Sequence, residues 1–491
     1  MLDGLRILVV PCFWRPDPFG TSSVMSVVRT CRALADRGNM VQLVIPTKLT
    51  AGKGTPGVVN WKYDMDEWGF GGNFVPLALE QVKDPYQYLG LTNEMMMRLS
   101  PFRGEVAPDV VVNYVPPISP NLKLAMSGFG GLGHVYCADI PILTIAEDVR
   151  TMDKFFVYRD AIEAIELAGL TVDTPAFLSK FEVDFWLAAI RKRYKPKYVL
   201  EMIERASVVG LPIDLDGVRE AVSMATRTDD RPTVFYGGRM DFLGRRVADQ
   251  ADVVNSVYSM GKDVRFLITT QDSGFGVWDE HREKWERQPW FEIQHGQNSE
   301  QYLKFLASAD VFFSWFTGEA GGVAYWEQLA AGLVGLFYDC KWARDLLPDD
   351  YPFFFETKDE ATAMAMSVLM DVQKAKRALD DVGIQKWLDE SFHPSSVASN
   401  VENACAGLVS RHNKKNASKF VVELAEKAGL FGEDEFDLDD ACERMAAESE
   451  KGHPIGRGTR ISIGYVRNMF LDRGFRDVGD AQRFLMKRSE T

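Results

Sequence analysis

The stretch Gly318-Glu319-Ala320-Gly321-Gly322-Val323-Ala324-Tyr325-Trp326-Glu327-Gln328-Leu329-Ala330-Ala331-Gly332 places two carboxylates with seven residues between them and a glycine pair just after the first. An apolar run precedes it, Ala309 to Phe316 with Asp310 inside, and another follows, Leu333 to Tyr338. This order reads as strand, tight loop, helix, strand. The loop brings backbone N–H groups to a helix N-terminus, where an anionic phosphate is favoured by both hydrogen bonding and the helix dipole. Glu319 sits at the mouth of the loop and Glu327 on the helix it opens. Carboxylates repel phosphate but accept hydrogen bonds from ligand hydroxyls. The bland alternative is a helix with two solvated glutamates, a spacing that also arises by chance.

Working outward, the chain alternates strand and helix on both sides of a midpoint. Leu5 to Val10 reads as a buried strand, Pro11 to Gly20 as a loop, and Thr21 to Asp36 as a helix with Val24, Val27, Val28, Cys31, Leu34 and Ala35 on one side. Arg37-Gly38-Asn39 ends that helix, and Met40 to Ile45 forms the next strand. This is a complete βαβ unit, so a parallel sheet covered by helices is expected. Further strands are expected at Val110 to Val112 and Ile142 to Ile145, whereas Thr50 to Arg103 reads as long and irregular. After Val208-Val209-Gly210-Leu211-Pro212-Ile213-Asp214 the alternation resumes. Strands are expected at Thr233 to Tyr236, Val264 to Thr269, Phe291 to Ile293, Val311 to Phe313 and Val334 to Phe337. Two such halves with a crevice between them suit a nucleotide at the carboxyl ends of the strands.

Beyond Arg411 the pattern changes. His412-Asn413-Lys414-Lys415-Asn416 reads as a polar linker, followed by short helical stretches without strand alternation. The domains are therefore set at 1–212, 213–391, a crossing helix at 392–411, in the stretch Trp387 to Leu408 that carries its apolar spacing and just beyond it, and a small appended helical domain at 412–491. At 491 residues the chain is long enough for two cores. The formal net charge of -14 excludes a protein that coats nucleic acid through its overall field. The six cysteines carry no CxxC or metal spacing and read as core fillers in a reducing cytoplasm. No apolar run has membrane-spanning length, and the N-terminus lacks a signal-peptide pattern. A cytoplasmic location without a transmembrane segment is the expectation.

Other groups bear on chemistry. Gly237-Gly238-Arg239 follows a strand, and Gly244-Arg245-Arg246 follows shortly after. Arginines in such loops hold phosphates bidentately, although one of the pair also suits a plain helix start. Gly20-Thr21-Ser22-Ser23 is a small-residue loop before a helix, with Gly20 as a turn residue. Thr144-Ile145-Ala146-Glu147-Asp148 runs off a strand end, so Glu147 faces the crevice, while Asp148 equally suits a helix N-cap. No Asp-x-Asp stands at a strand end, and no metal is expected. The basic run Arg191-Lys192-Arg193-Tyr194-Lys195-Pro196-Lys197 is either a solvated face or a surface for lipid headgroups or nucleic-acid phosphates. Arg467 and Asn468, on a short stretch after Arg457 to Ser462, fit a helix-turn-helix or a packed helical tail.

Together these residues resemble the Glu-x7-Glu motif and glycine-arginine loop of retaining glycosyltransferases with the GT-B fold, family 4 in particular, from about residue 5 to residue 411. The resemblance implies an α/β chain with two Rossmann-like domains facing a central cleft, plus the appended helical domain. It implies a nucleoside-diphosphate sugar as donor substrate, no separate cofactor, no metal, and transfer to an acceptor hydroxyl. On that pattern Arg239 with Arg245 or Arg246 neutralises the diphosphate, and Glu319 orients sugar hydroxyls. Gly321, Gly322 and Val323 offer N–H groups, Glu327 holds the ribose, Gly20 lets ligand oxygens approach, and Glu147 contacts acceptor or sugar. The chain departs from the family in lacking an aromatic between Gly321 and Gly322, a proline after Gly332 and a His beside Glu147. Some bacteriophage members of this fold class modify hydroxymethylated bases in DNA, and the Arg191–Lys197 run with the helical tail fits a DNA acceptor. The rival expectations are a lipid or glycan acceptor, or a nucleotide-sugar or nucleic-acid binder without catalysis.

Overall fold

The computed structural model describes residues 4–10, 21–46, 71–79, 108–114, 116, 119–126, 140–146, 169–193, 197, 201, 204–225, 227, 230–238, 246–270, 276–296, 299–316, 322–427 and 444. In chain order the first half contains β1 (Arg6–Val10), α1 (Thr21–Asp36), β2 (Met40–Pro46), β3 (Phe74–Leu79), β4 (Val110–Asn113), α2 (Ser119–Met126), β5 (Ile142–Ala146), β6 (Thr174–Phe177), α3 (Lys180–Arg193) and β7 (Ser207–Val208). The second contains α4 (Leu215–Met224), β8 (Thr233–Gly237), α5 (Val247–Ser259), β9 (Arg265–Thr270), α6 (Arg282–Glu286), β10 (Phe291–His295), α7 (Ser299–Ala307), β11 (Val311–Ser314), α8 (Val323–Ala330), β12 (Val334–Tyr338), α9 (Lys341–Leu346) and β13 (Phe354–Phe355). Four helices end the described chain: α10 (Lys358–Met370), α11 (Val372–Asp381), α12 (Ile384–Phe392) and α13 (Pro394–Lys427).

The strands form two sheets, ordered β3-β2-β1-β4-β5-β6-β7 and β10-β9-β8-β11-β12-β13. Every pairing in both is parallel. Helices on both faces explain why central strands such as Val110–Asn113 and Thr233–Gly237 are buried along their whole length. In each sheet the order reverses once, between β1 and β4 and between β8 and β11. Such a reversal opens a crevice at the carboxyl ends of the two strands.

Three sequence expectations need correction. The irregular reading of Thr50 to Arg103 misses β3, an edge strand paired with β2 through Val41↔Phe74 to Pro46↔Leu79. The polar stretch His412 to Asn416 is no linker, because α13 continues through it to Lys427. It contains no Gly or Pro, and extending an existing helix needs no new nucleus. The helix placed from Trp387 to Leu408 is instead two, broken where His393 turns extended (φ -63, ψ 138) before Pro394. Proline disfavours a helical residue before it and is well placed at a first helical position.

Each sheet has its own core. Val397, Ala398, Val401, Ala404, Cys405 and Leu408 of α13 belong to the core of the first sheet, so this C-terminal helix packs with N-terminal strands. Arg37 and Asn39, just past α1, bind Glu402 of α13 at 2.6 and 2.8 Å. The passage between the sheets is tight. Gly210 has φ +85, and a Cβ there would lie 3.1 Å from the Ser391 carbonyl oxygen and 3.2 Å from the Val397 side chain. Beyond it, the Ile213 N–H donates to the Phe392 carbonyl at 2.8 Å, and Asp214 caps α4 by accepting from the Gly217 N–H at 3.0 Å. Among the described residues no helix is long and apolar enough to cross a membrane, and Cys31, Cys340 and Cys405 are free thiols.

The second core is aromatic where it supports α8. Trp326 is fully buried and stacks on Phe392 (4.9 Å), Phe337 (6.2 Å) and Trp342 (6.1 Å), with Trp387 edge-on at 5.5 Å. Trp326→Ala is expected to cost about 3–5 kcal/mol of unfolding free energy, measured by urea denaturation. A loss below about 1 kcal/mol would contradict this packing role.

Candidate functional site

Among the described residues, the strand reversal of the second sheet holds Gly237, Gly238, Gly322 and the helix that carries Glu327. Strand β8 ends in Gly237-Gly238 and leads to the loop of Arg239. Strand β11 ends at Ser314 and leads, through the buried Trp315 and Phe316, to the loop of Glu319. Both loops leave the carboxyl edge at the point where strand order reverses.

Helix α8 opens on Gly322, which caps it in the left-handed conformation (φ 57, ψ 29). A Cβ there would meet Tyr325, Trp342 and the indole nitrogen of Trp326 at 3.2–3.4 Å. Both backbone sign and lack of space therefore require glycine. The Gly322 carbonyl accepts from the Tyr325 N–H at 2.8 Å, starting the helix. Helix geometry leaves the N–H groups of Val323 and Ala324 without an intrahelical acceptor, aimed along the axis out of the N-terminus. The Val323 side chain, in contrast, packs against the core of the first sheet, so this helix end lies where the two domains meet.

Glu327 lies one turn further on and is half-buried. The Tyr302 hydroxyl on α7 donates to its Oε2 at 3.2 Å. Burial pushes the Glu327 carboxyl up to about 7; Arg29 and the Tyr302 hydrogen bond oppose the rise, and Asp214 adds to it. Burial and the neighbouring Glu327 likewise hold the Tyr302 phenol well above its ordinary value, so it stays a donor. Tyr302 also explains Gly237. A Cβ at that glycine would come within 2.9 Å of the Tyr302 ring and 2.9 Å of Phe235. The missing side chain at the end of β8 thus makes room for the ring whose hydroxyl donates to the Glu327 carboxylate on α8.

Arg246 precedes α5 in the left-handed conformation (φ 50), the one non-glycine residue with positive φ among the described residues. Its guanidinium binds Asp249 at 2.7 Å and lies 5.1 Å over the Trp315 ring. Two partners thus already engage this candidate phosphate ligand. Gly20, Glu147, Arg239, Arg245, Glu319 and Gly321 lie outside the described residues, as do Arg467 and Asn468. Of the basic run, Arg191, Lys192 and Arg193 end α3, and Lys197 is exposed, 3.9 Å from Glu201. Sequence reading missed Tyr302 and Arg29. Arg29 lies off the apolar stripe of α1, which spacing alone marks as solvent-facing, and Tyr302 lies on the apolar side of α7 with Leu303 and Leu306, where spacing marks it as core rather than as a hydrogen-bond donor. Among the described residues no group of three or more His, Cys, Asp or Glu side chains is placed to hold a metal ion.

No protein-family model matches the sequence, and no curated protein matches it. Solved structures do match in fold. A glycosyltransferase from Rickettsia africae superposes with a TM-score of 0.58 at 11% identity, covering 83% of this chain and 99% of that one. The Anabaena protein HepE, in complex with UDP and glucose, gives 0.55 at 10%, covering 82% and 99%. Sucrose-phosphate synthase from Thermosynechococcus elongatus gives 0.56 at 12%, covering 83% and 100%. At such identities the likeness is one of fold: two parallel α/β domains facing a cleft, the GT-B arrangement.

The Glu327 carboxyl fixes a pH signature. Its folded value is raised from 4.5 to about 7, so the folded chain holds a proton that the unfolded chain releases. Its contribution to stability is full below about 4.5 and is lost as pH rises through about 7. Urea unfolding at pH 5 and 7.5 is expected to show that loss, about 1–3 kcal/mol, in the wild type and a smaller one in Glu327→Gln. Equal losses in both proteins would contradict the burial of this group.

Proposed function

We propose that this chain is a glycosyltransferase that takes a sugar from a nucleoside-diphosphate donor and passes it, with retained anomeric configuration, to an acceptor hydroxyl. One observation carries the reading. At the reversal of the second sheet, β8 ends in a glycine pair, Gly237-Gly238, and the neighbouring β11 leads to a glycine-capped helix bearing Glu327, on a fold shared with HepE, whose complexes contain UDP, glucose and UDP-glucose.

In this reading the donor diphosphate lies against the N-terminus of α8 and is neutralised by Arg239 and Arg245. Arg246 is left out of that pair because Asp249 and Trp315 hold it. Gly321, Gly322 and Val323 offer N–H groups, Glu319 takes hydroxyls of the transferred sugar, and Glu327 takes those of the ribose. The bond between the anomeric carbon and the diphosphate oxygen breaks as negative charge grows on the leaving group. Fixed cations and N–H dipoles stabilise that charge. The acceptor oxygen bonds the anomeric carbon on the same face, and its proton passes to the leaving diphosphate oxygen. With two arginines supplying positive charge, no divalent cation is required. The acceptor enters from the first domain, past Glu147 and the Gly20 loop, with the Arg191–Lys197 run and the C-terminal segment as its DNA-facing surface.

The test offers purified protein a panel of nucleoside-diphosphate sugars with hydroxymethylated DNA, lipid or glycan acceptors, in EDTA, and identifies products by mass spectrometry. A sugar-bearing product and released nucleoside diphosphate are expected, with Glu319→Ala and Arg239→Ala each abolishing transfer while keeping the wild-type melting profile. Near-wild-type turnover by either variant would contradict the reading. Product on lipid or glycan but not on DNA would reassign the acceptor.

A further inference from the structure

The two carboxylate oxygens of Glu327 meet different surroundings. Oε2 accepts from the Tyr302 hydroxyl at 3.2 Å. Oε1 bonds no group among the described residues, yet it is not sealed from solvent. It therefore faces open space on a residue that is otherwise half-buried. A carboxylate that is free at both oxygens can turn about its last bond and offer either one to water or ligand. With one oxygen held by the protein and the other left open, it becomes a directed acceptor.

Both ends of the Tyr302–Glu327 bond are held by packing. The Tyr302 ring on α7 lies tilted against Phe235, with 6.0 Å between centroids. Phe235 is fully buried in β8. Alternate residues of a strand share a face, so Phe235 and Gly237 present one surface to the ring. A Cβ at Gly237 would come within 2.9 Å of that ring, so the ring fills the space the glycine leaves. Burial keeps the phenol protonated, and it serves Glu327 as a donor. At the other end, Trp326 is the chain neighbour of Glu327 and stacks on Phe392 at 4.9 Å, which sets the rotation of α8. The direction in which the carboxylate points is thus built in before any ligand arrives.

We propose that Tyr302 is a positioning residue that makes the donor site selective for ribonucleotides: by holding Oε2 of Glu327 it keeps Oε1 turned out to accept the ribose hydroxyls of a nucleoside diphosphate. This rests on the donor-site reading and adds a specificity determinant to it. A nucleotide without those hydroxyls covers Oε1 and leaves it unpaired, which costs far more than the loss of one solvated contact. Without the Tyr302 hydroxyl the carboxylate turns freely and pairs with water instead, so the penalty against such a nucleotide shrinks. Contacts to the base and the diphosphate do not pass through Tyr302 and stay as they were.

The test measures, by calorimetry on the full chain, the affinities for UDP, ADP and GDP, each beside its 2′,3′-dideoxy counterpart. For the base that binds best, the wild type is expected to prefer the ribonucleotide by about 100-fold. In Tyr302→Phe, which keeps the ring on Phe235, that preference should fall by about tenfold through weaker ribonucleotide binding, with the dideoxy nucleotide bound as before. A merely structural role would weaken both nucleotides alike and leave the ratio where it was. In a Glu327→Ala background the preference should already be low, and adding Tyr302→Phe should lower it no further, because the hydroxyl acts only through that carboxylate. An unaltered ratio in Tyr302→Phe, or a further fall in the Glu327→Ala background, would overturn the role of Tyr302 and leave the donor site standing. Equal binding of both nucleotides by the wild type would overturn the ribose contact of Glu327 together with the role of Tyr302. Binding of none of the nucleotides by the wild type would overturn the donor site itself.

Discussion

The packing of Trp326 is the constraint on which the site depends. A single indole, fully buried, is held by Phe337 from the sheet, Trp342 from α9, and Trp387 and Phe392 from α12. These contacts fix the axial position and rotation of α8. Once they are fixed, Gly322 must turn left-handed to let the chain enter the helix, and Glu327, the neighbour of Trp326, must face α7 and the domain junction. The aromatic side chains bury large areas and prefer stacked or edge-on geometries, so the helix has little freedom to slide. A rigid helix N-terminus at a strand reversal is what a phosphate site needs, because N–H groups aimed in advance cost no reorganisation when the ligand arrives.

The two domains are tied by chain crossings as well as by surface contact. The first crossing passes Gly210, where no side chain fits, to Asp214, which caps α4. The second returns through His393-Pro394 into α13, whose apolar face completes the first core. Phe392, just before that break, both stacks on Trp326 and accepts the Ile213 N–H. The residue that steadies the candidate site is thus also the one where the two crossings touch, and movement of one domain on the other has a direct mechanical route to α8.

The sequence pattern is legible where burial is regular. The helix expected at Thr21 to Asp36 has those bounds in the structure, and the central strands lie where continuous apolar runs were read. It fails where local chemistry contradicts the element. Thr174–Phe177 is a strand between two neighbours despite Pro175, and β3 contains Pro76 at a sheet edge, so neither reads as a strand from propensity. His412 to Asn416 looks like a linker because it is polar, but polarity does not end a helix that is already running. Of the site, Gly322 and Glu327 are legible from spacing. Tyr302 and Arg29 are not, because their roles exist only after α7, α1 and α8 are brought together by the fold. Gly237 shows the same point: its glycine signature is visible in the sequence, but the reason for it, the ring of Tyr302, is tertiary.

The central claim is that the crevice between β8 and β11 receives a nucleoside diphosphate. Amide hydrogen exchange of the full chain, with and without saturating UDP, tests it most directly. The account predicts slowed exchange at Gly237–Gly238 and at Gly322–Ala324, with little change at the far ends of the same strands. Unchanged exchange at both places, or protection confined to the first domain, would contradict it.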